Sequence, residues 1–141
     1  MAAAHGRSRQ TRASAEAIWR VWSDPKTWQD WNPNVQRMEM NGPFANGTTG
    51  IMHTPAGQQH QVELTHIDPG HAFDLETSVI PLTHFTFHCE VVPAASGSTI
   101  SQSVSMSGPL AFLFAPMAGE RIAASFEPLL KGLADKAEAP S

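Results

Sequence analysis

From Val35 to Met106 the chain sets apolar and polar side chains in short alternating stretches, broken by turn signals roughly every 8 to 14 residues, as an antiparallel meander requires. Asn46-Gly47, Pro55 to Gly57, Asp68-Pro69-Gly70, Ile80 to His84 and Ala94 to Gly97 are the turns, which leaves six consecutive strands. Ahead of the meander the period is helical. Ser14 is placed to cap a helix with Glu16 in its first turn and Ile18, Val21 and Trp22 on one face. Asp24-Pro25 then opens a second short helix carrying Trp28 and Trp31, closed by Asn32-Pro33. A polar strand over Arg7 to Arg12 precedes both. After Gly108-Pro109 a helical stripe runs through Ala118, Ile122, Ser125, Phe126, Leu129 and Leu133, with its main section starting at Pro116 and a kink at Pro128. At 1.5 Å per residue such a helix reaches about 30 Å, enough to cross a sheet.

Hairpin geometry fixes which residues share a face, because opposed positions point the same way. With Asn46-Gly47 as a two-residue loop, Phe44 opposes Thr49, Gly42 opposes Ile51 and Met40 opposes His53, and this more apolar face turns to the core. An Ala56-Gly57 loop adds His60, Val62 and Leu64 to it. The later strands add Phe73, Leu75, Thr77 and Val79, then Phe85, Phe87, Cys89 and Val91, then Ile100, Gln102, Val104 and Met106. Asp74, Glu76, His84 and His88 point outward. In this register His53 and His60 stand directly opposite each other. Two readings of these inward polar groups stay open: satisfied core or rim residues, or polar anchors of a ligand cavity.

At 141 residues the chain fits one domain, 1–141, with residues 1–5 frayed and 137–141 a flexible tail. The hydrophobic share of 41% excludes bulk disorder. A net charge of -4 without a basic stripe argues against nucleic acid as a partner. One cysteine, Cys89, cannot form an internal disulfide, and without a signal segment the expected location is cytoplasmic. The longest apolar run, Leu110 to Ala118, is about half of what a membrane span needs, so stable membrane insertion is not expected.

The order strand, two Trp-rich short helices, meander and long terminal helix resembles the START-like, or SRPBCC, superfamily. Locally, Ala13-Ser14-Ala15-Glu16-Ala17-Ile18-Trp19, Asp24-Pro25, Trp28, Trp31-Asn32-Pro33, Leu64-Thr65-His66-Ile67-Asp68-Pro69, Ser107-Gly108-Pro109-Leu110-Ala111 and Phe126-Glu127-Pro128-Leu129 are similar to its polyketide cyclase/dehydrase group. The resemblance implies an α+β helix-grip fold: a curved, seven-stranded antiparallel sheet around the C-terminal helix, enclosing a cavity for a lipid-like or polycyclic molecule. It implies no shared catalytic residue. The polar first strand, Gly6-Arg7-Ser8-Arg9-Gln10-Thr11, departs from the group's apolar alternation, and a chain without tyrosine cannot use tyrosine-based proton chemistry.

Seven histidines raise the question of a metal. His84 and His88, four apart on a strand, are about 13 Å apart, too far for one ion. Only His53 and His60 converge in this register, without the third ligand zinc requires, so neither metal nor cofactor is expected. Either histidine is a candidate general acid/base. Cys89 reads as a buried, inert thiol. The candidate ligand-binding residues are Trp28, Trp31, Met40, His53, His60, Phe73, Phe85, Phe87, Gln102, Met106, Met117 and Arg121, the last able either to meet a ligand carboxylate or to lie along the helix edge. The leading expectation is a module that binds a hydrophobic small molecule. The alternatives are a cyclase/dehydrase enzyme and a protein-interaction domain whose cavity is filled by its own side chains, and a homodimer is left open.

Overall fold

Seven antiparallel strands, β1 (Ala4–Thr11), β2 (Arg37–Met40), β3 (Thr49–His53), β4 (Gln59–Asp68), β5 (Ala72–Ile80), β6 (Thr83–Ala94) and β7 (Gly97–Ser107), form one sheet in the order β1-β7-β6-β5-β4-β3-β2. This computed structural model describes residues 4–80, 83–109 and 111–139. The six strands β2 to β7 make the expected meander, and β1, starting ahead of Arg7, pairs with β7. The edges are β1 and β2, where Arg7, Arg9, Arg37 and Glu39 discourage further strand addition.

The Ala17 N–H donates to Ser14 Oγ at 3.1 Å and caps α1 (Ala15–Trp22), which buries Ile18 and Trp22. The next segment is a single 3-10 helix, Pro25–Asp30. Asp24 gives it no side-chain cap; the Trp28 indole N–H instead donates to the Trp22 carbonyl at 3.0 Å and fixes this turn against α1. The C-terminal helix is in two parts, α2 (Ala111–Ala124) and α3 (Phe126–Glu138), starting ahead of Pro116. The break at Ser125 puts Pro128 in the first turn of α3, where no N–H is needed and its ring is spared the clash with the Ala124 carbonyl. The expected kink is thus an interruption three residues before the proline. α3 continues into the tail expected to be flexible, where Thr11 Oγ1 donates to Glu138 Oε2 at 2.5 Å and the Arg12 N–H to the same oxygen at 3.2 Å. Both helices pack on β1 and β7, and α3 also on α1.

The register is as expected for β4 to β7 and different for β2 to β4. Met40 opposes Gly50, not His53, because residues 41–48 are a longer connection than a two-residue hairpin. Asn46-Gly47 does form a turn, with Gly47 at φ 89° and the Thr48 N–H donating to the Ala45 carbonyl at 3.2 Å. That turn lies within the longer β2–β3 connection and docks on β4: the Gly47 N–H donates to the Leu64 carbonyl at 2.7 Å and the Ile67 N–H to Asn46 Oδ1 at 2.8 Å. The next loop, Pro55-Ala56-Gly57, has one residue more than expected, so His53 opposes Gln59 and Met52 opposes His60. A one-residue slip reverses the faces. Gly50 and Met52 therefore face inward, and Thr49, Ile51 and His53 outward. Ile80 and Thr83 are already paired strand residues; residues 81 and 82 of the expected five-residue turn lie outside the described ones.

Candidate ligand cavity

Between the concave sheet face and the helices lies a cavity of about 380 Å³, within the range of small-molecule sites. Its inner wall is apolar and aromatic. Trp22 ends α1, Trp28 and Trp31 come from the 3-10 turn, Phe73 and Leu75 from β5, Phe85, Phe87 and Cys89 from β6, and Phe126 and Leu129 from α3. Phe73 is the hub, its ring centroid 5.4 Å from Trp22, 6.1 Å from Trp28 and 5.1 Å from Phe44. Phe85 and Phe87 stack at 6.4 Å, and Phe87 meets Phe126 edge-on at 6.2 Å. These contacts hold the wall rigid.

The outer rim is wetter. Asn34 and Arg121 are exposed, and Met52, Thr54, His60, Ile122 and Ser125 are half-buried, so the mouth lies where the break between α2 and α3 faces the β3–β4 hairpin. Across it the Asn34 amide donates to Ser125 Oγ at 3.1 Å. Several lining polar groups are already engaged: Thr77 Oγ1 donates to the Gln61 carbonyl at 2.7 Å, and Asn32 Oδ1 accepts from the Asn34 N–H at 2.9 Å. The Gln102 amide, the His60 imidazole and the Arg121 guanidinium have no hydrogen-bond or ion-pair partner among the described residues. The indole N–H groups of Trp22 and Trp31 are buried without an acceptor among the described residues, each ring edge-on to aromatic neighbours. Burial, with the charge of Asp74 adding to it, pushes the Cys89 thiol far above its usual range, so it is a neutral wall group.

Of the residues singled out in the sequence, Trp28, Trp31, His60, Phe73, Phe85, Phe87, Gln102 and Arg121 line this cavity. Three do not. His53 lies on the outer face, its Nε2 3.3 Å from Arg37 Nη2 and 3.5 Å from Glu39 Oε1, which removes the expected imidazole pair. Met40 packs half-buried against the core, and Met106 is fully buried beside Phe85. The side chain of Met117 lies outside the described ones. Sequence reasoning missed Met52 and Thr54, lost with the β2–β4 register, and the Asn34–Ser125 bridge, whose partners lie 91 positions apart. The outward acidic and histidine residues pair among themselves: His88 Nδ1 with Asp74 Oδ1 at 2.6 Å, His84 Nε2 with Glu76 Oε1 at 2.7 Å. No cluster of three or more His, Cys, Asp or Glu side chains able to hold a metal occurs among the described residues. No described helix is long and apolar enough to cross a membrane.

Known proteins carry the same architecture. The structure is similar to the ZhuI aromatase/cyclase of Streptomyces sp. R1128 (TM-score 0.76, 13% identity, 98% of this chain and 94% of that one). It is similar to a truncated norcoclaurine synthase of Thalictrum flavum (TM-score 0.74, 17% identity, 100% and 96%). Ara h 8.0201 is a third (TM-score 0.73, 14% identity, 97% and 98%). At these identities the likeness is one of fold. No curated protein sequence matches the chain. The model of the family described as polyketide cyclase / dehydrase and lipid transport matches residues 6–138. With that match over nearly its whole length and a helix-grip fold around a cavity, the chain belongs to this family and so to the START-like SRPBCC superfamily.

Proposed function

We propose that this protein binds a lipid-like or polycyclic small molecule between its sheet and the α2–α3 pair. The observation that carries this reading is the cavity itself: about 380 Å³ walled by aromatic side chains and left unfilled by the described residues, with few polar groups on its lining. Membership of a family that includes lipid transport supports it. Three of the four tryptophans line the cavity, so they report on occupancy. Titration with 1-aminoanthracene is expected to change their emission saturably at one molecule per chain. A linear, non-saturating response would refute the reading.

A second reading, a cyclase/dehydrase acting on a polyketide-like carbonyl compound, is favoured by one residue. His60 lines the cavity with no hydrogen-bond or ion-pair partner among the described residues, and an imidazole can both donate and accept a proton. Here His60→Gln should leave the substrate bound and reduce turnover about a hundredfold or more. Native mass spectrometry of protein isolated from its own host separates the two, since a carrier releases its guest unchanged.

A further inference from the structure

We infer that the guest is an amphipathic organic acid: an aromatic or polycyclic body with a neutral oxygen function at its inner end, met by Gln102, and a carboxylate or comparable anion at the mouth, met by Arg121. The inference rests on the small-molecule reading above and adds the chemistry of the two ends.

The inner end follows from Gln102. It sits on the concave face of β7 between Ile100 and Val104, opposite Cys89 on β6, and is 8% exposed. A buried amide is ordinarily hydrogen-bonded. This one lines the cavity and has no partner among the described residues, and Cys89 beside it is a neutral thiol. An amide both donates and accepts, so it suits a carbonyl or hydroxyl and gives no charge to a charged group.

The outer end follows from the balance of charge. The chain carries thirteen Asp and Glu against nine Lys and Arg, yet among the described residues no carboxylate lines the cavity. Among the described residues the lining holds one guanidinium, Arg121, and one imidazole, His60. The nearest acidic residue in sequence, Glu120, is committed to Arg7, with Nη2 and Oε1 2.5 Å apart, and Arg121 forms no ion pair among the described residues. A guanidinium at the rim of an apolar, low-dielectric space favours an anion there, and its fork fits a carboxylate in two-point contact.

The test uses four probes of one shape: naphthalene, 2-naphthamide, 2-naphthoic acid and 6-hydroxy-2-naphthoic acid, titrated by calorimetry at low salt. The acid is expected to bind about tenfold tighter than the amide, the size of one charge-assisted contact. Arg121→Met should bring the two together, Arg121→Lys should restore part of the preference, and Arg20→Met, a control on the exposed face of α1, should leave it intact. The 6-hydroxyl should tighten binding further, and Gln102→Leu should remove that gain. Equal affinity for naphthalene, amide and acid overturns this inference and leaves the apolar cavity standing. An acid preference that survives Arg121→Met overturns it as well. Failure of all four probes to bind refutes the small-molecule reading itself for molecules of this size.

Discussion

His88 stands on the outer face of β6 between two carboxylates, its Nδ1 2.6 Å from Asp74 Oδ1 and its Nε2 3.1 Å from Glu90 Oε1. A neutral imidazole can donate from only one nitrogen, so this arrangement is fully satisfied only by the protonated ring. Desolvation, the largest single influence, pulls the pKa down, but the hydrogen bonds and charges of Asp74 and Glu90 together outweigh it and raise the value. The neighbouring groups, His66 at 3.2 Å from Asp74 and His71 at 3.8 Å from Glu90, share the same carboxylates. A raised histidine pKa gives stability that is fully present below the unfolded value, about 6.5, and lost as the pH rises through the folded one. His88→Gln should therefore destabilise the protein more at pH 5.5 than at pH 9. The difference should be about 1 kcal/mol or less, because the side chain is 44% exposed. Urea denaturation at the two pH values checks this, and an equal effect at both would contradict it. That these groups point outward followed from strand parity: Asp74, Glu76, His84 and His88 alternate with buried Phe73, Leu75 and Phe85 and half-buried Phe87, on strands in regular register at these positions.

Elements were legible where local chemistry and tertiary packing agree. Ser14, Glu16 and the Ile18–Trp22 spacing define α1 because its cap and its buried face are both local. Asn46-Gly47 misled because the signal for a tight turn says nothing about what the turn joins, and here its backbone groups pair with β4. The one-residue difference in the Pro55–Gly57 loop had the larger consequence, since it put His53 and His60 on opposite faces and dissolved half of the expected site. Pro128 announced a disturbance in the terminal helix but not that the break would fall at Ser125, where it opens the mouth of the cavity. Within α3, Gly132 is a test of packing against propensity. Alanine is better than glycine in a helix interior by about 1 kcal/mol, yet a Cβ at Gly132 would overlap the Trp31 carbonyl oxygen, a backbone atom that cannot swing aside. Gly132→Ala should thus destabilise, by about 1–3 kcal/mol, and lower Tm by roughly 2–4 °C for each kcal/mol in a domain of this size. The nearest atoms that Gly119→Ala in α2 would meet belong to the His5 ring, a side chain that can turn away, and the change should cost less. Thermal melts of both variants decide the order.

On the scale of the whole molecule, the fold spends packing on keeping a space open. About 380 Å³ stays open to water between sheet and helices, and the apolar side chains around it find contact partners there only when a guest is bound. Gln102 turns its amide to this space, without a hydrogen-bond partner among the described residues. If the residue served the fold, it would hold a structural hydrogen bond, and replacing it by leucine, of similar size, would destabilise the protein. If it is held in reserve for a ligand, the replacement gives up no hydrogen bond within the fold and adds apolar surface to the wall, and should stabilise the ligand-free protein by about 1 kcal/mol or less. Gln102→Leu is therefore expected to raise the urea midpoint with the slope of the transition unchanged. The same variant should lose its preference for 6-hydroxy-2-naphthoic acid over 2-naphthoic acid. Stability gained together with recognition lost would mark a residue kept for binding at the expense of folding. Stability lost would assign Gln102 to the core and leave Arg121, His60 and the indole N–H groups of Trp22 and Trp31 as polar groups free to orient a guest.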